Sequence, residues 1–122
     1  MAVYSTVVTA PTSAATTTLT SWAPYVLVTV PSAAANAIYV STSGTAATNG
    51  TDSVLCGPGT STYVRNRAPR PDLTTTTPSA NDYSAVPAFK TSQTAVSLVA
   101  SAAVTNVQLT LASSAGGQPV LG

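Results

Sequence analysis

The chain has 122 residues, of which 44% are apolar and only 6% charged, with a net charge of +1. That size fits one domain with a modest core, and the charged fraction lies far below the roughly 25% of an ordinary soluble protein. There is no histidine and no glutamate, one cysteine and three aspartates, which excludes the commonest general base, the usual triads and a closed zinc site; the expectation is a non-enzyme without cofactor or metal.

Residues 1–21 read as an N-terminal arm. Tyr4, Val7 and Val8 open it, and Pro11-Thr12-Ser13-Ala14-Ala15-Thr16-Thr17-Thr18 follows. The tract holds too few large apolar groups to offset its own ordering entropy. No Lys or Arg precedes the first apolar stretch, so no secretory signal is expected. No apolar run approaches the roughly 18 residues of a membrane span.

A β-domain is expected over 22–112. Tyr25-Val26-Leu27-Val28-Thr29-Val30 is rich in β-branched residues, with Val26, Val28 and Val30 on one face, and Pro31 ends it. Ala37-Ile38-Tyr39-Val40-Ser41 predicts a second strand, and Asn49-Gly50 a tight turn, because both residues tolerate positive φ. Ser53-Val54-Leu55-Cys56 and Thr60-Ser61-Thr62-Tyr63-Val64-Arg65 predict two more strands around a Gly57-Pro58-Gly59 corner. Cys56 has no partner for an intrachain disulfide and reads as a buried, inert thiol. Residues 66–88 break the pattern with Pro69, Pro71, Pro78, Pro87 and four consecutive threonines. A long Pro/Thr-rich loop of this kind is usually functional or disordered, and here it is expected to reach onto a partner. Ala95–Ala100 and Thr105–Leu111 restore the strand pattern. In the second, Val107, Leu109 and Leu111 oppose Asn106, Gln108 and Thr110, which marks a sheet with one buried side. Residues 113–122 read as a tail. The fold expected is all-β, a small antiparallel β-sandwich or barrel.

Few residues could carry chemistry. Gly57-Pro58-Gly59 lacks the spacing of a phosphate loop. Asn49-Gly50-Thr51 matches a glycosylation acceptor but reads better as a turn. Asp72 and Asp82 lie in the Pro-rich segment, where rigid placement of a carboxylate pair is not expected. Arg65, Arg67 and Arg70 form the one basic cluster, with Lys90 apart from it. Nucleic-acid binding calls for a broader basic face, so these arginines are assigned to carboxylates on a partner protein, where their forked geometry is useful. Tyr4, Val7 and Val8 join them as candidate partner-binding residues. Core packing is the expectation for Trp22, Tyr25, Tyr39, Tyr63 and Phe89, and stacking on sugars is the alternative.

The stretch from Ala37 to Val64 resembles a segment of small β-structured virion proteins of tailed bacteriophages. The matching pieces are Ile38-Tyr39-Val40, Thr45 to Gly50 closing on Asn49-Gly50, Leu55, and Pro58-Gly59. Ser41-Thr42 departs from small glycine-rich pairs, and 66–88 stands as an insertion. The resemblance implies a capsid decoration or minor structural protein, assembled in the host cytoplasm and resident in the virion. Its implied partners are a major capsid protein or another virion protein and further copies of itself as a homo-oligomer, with no nucleic acid and no membrane. The alternative is a carbohydrate-binding or adhesion module on a phage tail or cell surface.

Overall fold

A computed structural model describes residues 4–67, 73–74, 88–89 and 93–122. The described residues form strands and no helix: β1 (Ser5–Ala10), β2 (Ala15–Leu19), β3 (Tyr25–Thr29), β4 (Ile38–Ser41), β5 (Val54–Cys56), β6 (Ser61–Arg65), β7 (Leu73–Thr74), β8 (Ala88–Phe89), β9 (Thr94–Ala100), β10 (Val104–Ala112) and β11 (Val120–Leu121). A five-stranded sheet has the order β1-β10-β3-β6-β11 and a four-stranded sheet the order β2-β9-β4-β5. Neighbours run antiparallel except β11, which lies parallel to β6. The backbones of β7 and β8 pair with each other; residues 68–72 and 75–87 of the Pro/Thr-rich segment, Arg70 included, lie outside the described residues. The two main sheets pack face to face as the expected sandwich.

Alternation builds the core. Val26, Val28, Val64, Val107 and Leu109 point inward from the five-stranded sheet, and Leu19, Ile38, Val40, Val96 and Leu98 from the other, all nearly inaccessible to solvent. Each such side chain contributes about 1.5–3 kcal/mol by leaving water. Among the described side chains no aromatic ring belongs to this core; that of Phe89 lies outside them. Trp22, Tyr25, Tyr39 and Tyr63 are half-buried instead, which corrects the expectation of core packing. The reason is parity: once Val26 and Val28 face in, Tyr25 and Leu27 must face out.

The segment expected as an arm is two strands of the sandwich. β1 pairs with β10 and β2 with β9, so the N-terminal chain runs antiparallel to residues 94–112 across both sheets. Pro11–Ala14 carries it from one sheet to the other, and the Pro11 carbonyl accepts the Ala100 N–H at 2.8 Å. Leu19, fully buried, anchors β2. Ladder hydrogen bonds to β9 supply what the Thr-rich sequence lacks in apolar surface. The expected tail likewise contributes a strand, β11.

The predicted alternation in β10 is interrupted once. Val8 opposes Val107 and Ala10 opposes Val104, so β10 carries one extra residue. Asn106 sits there with φ 61°, a bulge in which asparagine tolerates the left-handed conformation better than other non-glycine residues. The bulge lets Val104 and Val107, three positions apart, both face the core.

Candidate functional site

The outer face of the four-stranded sheet is roofed by the chain itself. Ser97 and Val99 of β9 point outward by parity, yet are only 2% and 6% exposed. The β4–β5 connection, residues 42–53, folds over them: the Ala46 N–H donates to Ser97 Oγ at 2.9 Å, and Tyr39 Oη donates to Asn49 Oδ1 at 2.8 Å. Ser41 Oγ accepts the Gly44 N–H at 3.2 Å. Asn49 has φ 57° and the Gly50 N–H returns to the Ala47 carbonyl. Asn49-Gly50 is therefore a turn, as expected, but one inside a longer roof rather than a tight hairpin tip. Tyr39, Asn49 and Leu55 meet here, since Asn49 accepts the Tyr39 hydroxyl and Leu55 is the cross-strand partner of Tyr39.

The outer face of the five-stranded sheet is finished differently. Register places Thr110, Leu27, Tyr63 and Val120 in one row and Ala112, Tyr25 and Arg65 in the next. Leu27, Tyr25, Tyr63 and Val120 are half-buried and Arg65 is exposed. Residues 113–119 carry the chain from β10 past β3 and β6 to β11. Their hydrogen bonds are internal, from Gln118 N–H to the Ala115 carbonyl and from Gly116 N–H to Ser114 Oγ. A Cβ added at Gly116 or Gly117 would meet nothing within 4 Å. This connection is loosely seated where the other is pinned. Aromatic, aliphatic and arginine side chains together, with few charges around them, are the composition of a protein contact surface.

The two ends of the Pro/Thr-rich segment are clamped together. Asn66 Nδ2 donates to the Ala23 carbonyl at 2.9 Å and to Thr94 Oγ1 at 3.0 Å. Thr94 Oγ1 in turn donates to the Ser21 carbonyl at 2.9 Å. Thr42 Oγ1 donates to the Arg65 carbonyl and accepts the Arg67 N–H. These bonds fix residues 65–67 but send their side chains apart. Arg65 joins the outer face beside Tyr25, whereas Arg67 Nε donates to the Gly122 oxygen at 3.1 Å.

Of the apolar candidates, Tyr4 and Val7 are 61% and 60% exposed at the sheet edge. Val8 packs against the core; its parity in β1 is opposite to that of Val7. The residues missed in sequence are Tyr25, Leu27 and Tyr63. The signal that finds them is the same alternation that put Val26 and Val28 inside.

Cys56 is buried, and burial pushes its thiol up from 9.0 to about 11, a rise moderated by a hydrogen bond with Thr62. Such a thiol is a poor nucleophile at neutral pH. Among the described residues no three His, Cys, Asp or Glu gather to hold a metal ion, and no helix is long and apolar enough to cross a membrane. Among the described residues, clefts of about 300, 190 and 370 Å³ open on the surface, and no aromatic ring lines these. No known family, no curated protein sequence and no solved structure matches the chain.

Proposed function

We propose that this chain is a non-enzymatic structural protein of a phage virion that decorates or stabilises the capsid through protein–protein contacts. The observation that carries the reading is the partly shielded outer face with Tyr25, Leu27 and Tyr63 rimmed by Arg65, on a chain with almost no other charge to oppose burial. Arginine and aromatic anchors dominate the energy of protein interfaces. The contact of Tyr39 with Asn49 and Leu55 adds support, because it makes the pieces that resemble phage proteins one structural unit. The partner is a major capsid protein or another virion protein. The clefts described above give a carbohydrate-binding role no aromatic lining in its favour.

The test is purification of intact particles from infected cells, with quantification of the chain. A fixed copy number per particle is the expected result. A chain left wholly in the particle-free fraction refutes the reading. Replacing residues 68–92 by a short Gly/Ser linker probes the long segment separately. Asn66 and Thr94 stay hydrogen-bonded at its base, so the core is expected to fold while incorporation falls.

A further inference from the structure

The edge strand β1 has a neighbour on one side only. The Tyr4 carbonyl accepts the Leu111 N–H at 2.8 Å, which fixes the phase of the antiparallel ladder. Tyr4, Thr6 and Val8 turn their backbone groups toward β10, and Ser5, Val7 and Thr9 turn theirs outward. No described residue takes up those outward groups. Natural sheets protect such edges with charges, proline or short length. β5 has three residues and β11 two; β2 has five, with no exposed large apolar side chain, and β1 is the longest edge at six, Ser5-Thr6-Val7-Val8-Thr9-Ala10, with neither charge nor proline. Val7, at its centre, is 60% exposed.

We propose that β1 pairs antiparallel with β1 of a second copy of this chain, about a two-fold axis at Val7. The strand is complementary to itself in that register. Val7 meets the partner's Val7, Ser5 meets the partner's Thr9, and Thr9 meets the partner's Ser5. An aliphatic contact is thus flanked by hydroxyl pairs, both of them favourable cross-strand combinations. On the other face Thr6 opposes the partner's Val8. The outward N–H and C=O groups of Ser5, Val7 and Thr9 find matching groups on the twin, and two five-stranded sheets become one continuous sheet. A strand without charges on a chain of net charge +1 sets no repulsion against its own copy, and a two-fold contact of this kind closes on itself rather than growing a fibre. The pairing does not depend on the virion reading.

Sedimentation velocity on the purified chain tests it. Wild type is expected as a dimer. Val7→Pro removes an N–H that points away from β10, so the intrachain ladder survives; it is expected to halve the mass while the circular dichroism spectrum is unchanged. Val7→Lys, which sets two ammonium groups side by side at the axis, is expected to do the same and decides the matter if the proline variant fails to fold. Val7→Cys is expected to cross-link to its twin through a short bifunctional maleimide, because Cα atoms of a hydrogen-bonded antiparallel pair lie about 5.5 Å apart, within reach of such a linker. A monomeric wild type, a dimer that persists in a folded Val7→Pro or in Val7→Lys, or a Val7→Cys chain that does not cross-link overturns the proposal.

Discussion

The outer face of the four-stranded sheet lies under the 42–53 connection, which is bonded down through Ser97, Ser41 and the Tyr39–Asn49 pair. The outer face of the five-stranded sheet carries Leu27, Tyr25 and Tyr63 half-buried, and the 113–119 connection from β10 to β11 makes its hydrogen bonds within itself. Both faces are built from strands of similar sequence, mixing β-branched residues with tyrosine. What differs is where the polar anchors sit. Serines on β4 and β9 offer acceptors that hold a roof in place, and the corresponding positions on β3 and β6 are leucine and tyrosine, which offer surface. One outer face is covered by a connection bonded to it, and the other carries half-buried leucine and tyrosine side chains.

The widest separation between the two faces is expected from adding a charge to each. Val99→Lys puts an ammonium under the roof at a site 6% exposed, with several kcal/mol of destabilisation expected from burying a charge without a partner. Leu27→Lys on the other face can extend its ammonium to water, and a loss of about 1 kcal/mol is expected. Urea unfolding of the two variants side by side measures the contrast; equal losses would erase it.

The core shared by both faces supplies the next effect. Cys56 titrates near 9.0 when unfolded and near 11 when folded. Its raised folded value means that stability is full below pH 9, falls as the pH rises toward 11, and stays lowered above it. The two-unit difference corresponds to roughly 3 kcal/mol at most. Cys56→Ala cannot titrate there, so the difference in unfolding free energy between the two chains across that pH interval isolates the thiol. Parallel curves would contradict the burial.

Smaller effects probe how the roof is held. Ser97→Ala leaves the Ala46 N–H without its acceptor, and a loss of about 1–3 kcal/mol is expected, with faster hydrogen exchange at Ala46. Tyr39→Phe removes one partly exposed hydrogen bond to Asn49, with about 1 kcal/mol or less expected by thermal unfolding.

Most of the sandwich was legible in the chain. The alternation at Val26, Val28 and Val30 and at Val107 and Leu109 located two central strands and their buried sides, because hydrophobic period reports directly on a half-buried sheet. β2 was not legible, because Ala15-Thr16-Thr17-Thr18-Leu19 has one large apolar group and owes its order to ladder bonds with β9, a non-local term absent from local composition. β11 was hidden for the same reason, a two-residue strand with Gly116-Gly117 before it. The bulge at Asn106 could not be read either, since alternation looks unbroken from Val107 onward and the extra residue shows only against Val8 and Ala10 in register. The outward placement of Tyr25 and Leu27 was legible in principle. Tyrosines in a small chain suggest core, yet placing the valines inside already placed Tyr25 and Leu27 outside.

Under the proposed virion role, incorporation of two variants into phage particles tests most directly whether the outer face of the five-stranded sheet makes the contact. Leu27→Lys alters the half-open face, and Leu55→Lys alters an exposed leucine on the other sheet. With both chains folded, Leu27→Lys is expected to disappear from purified particles while Leu55→Lys stays at the wild-type copy number. Incorporation of Leu27→Lys at the wild-type level would contradict the assignment of that face as the contact surface.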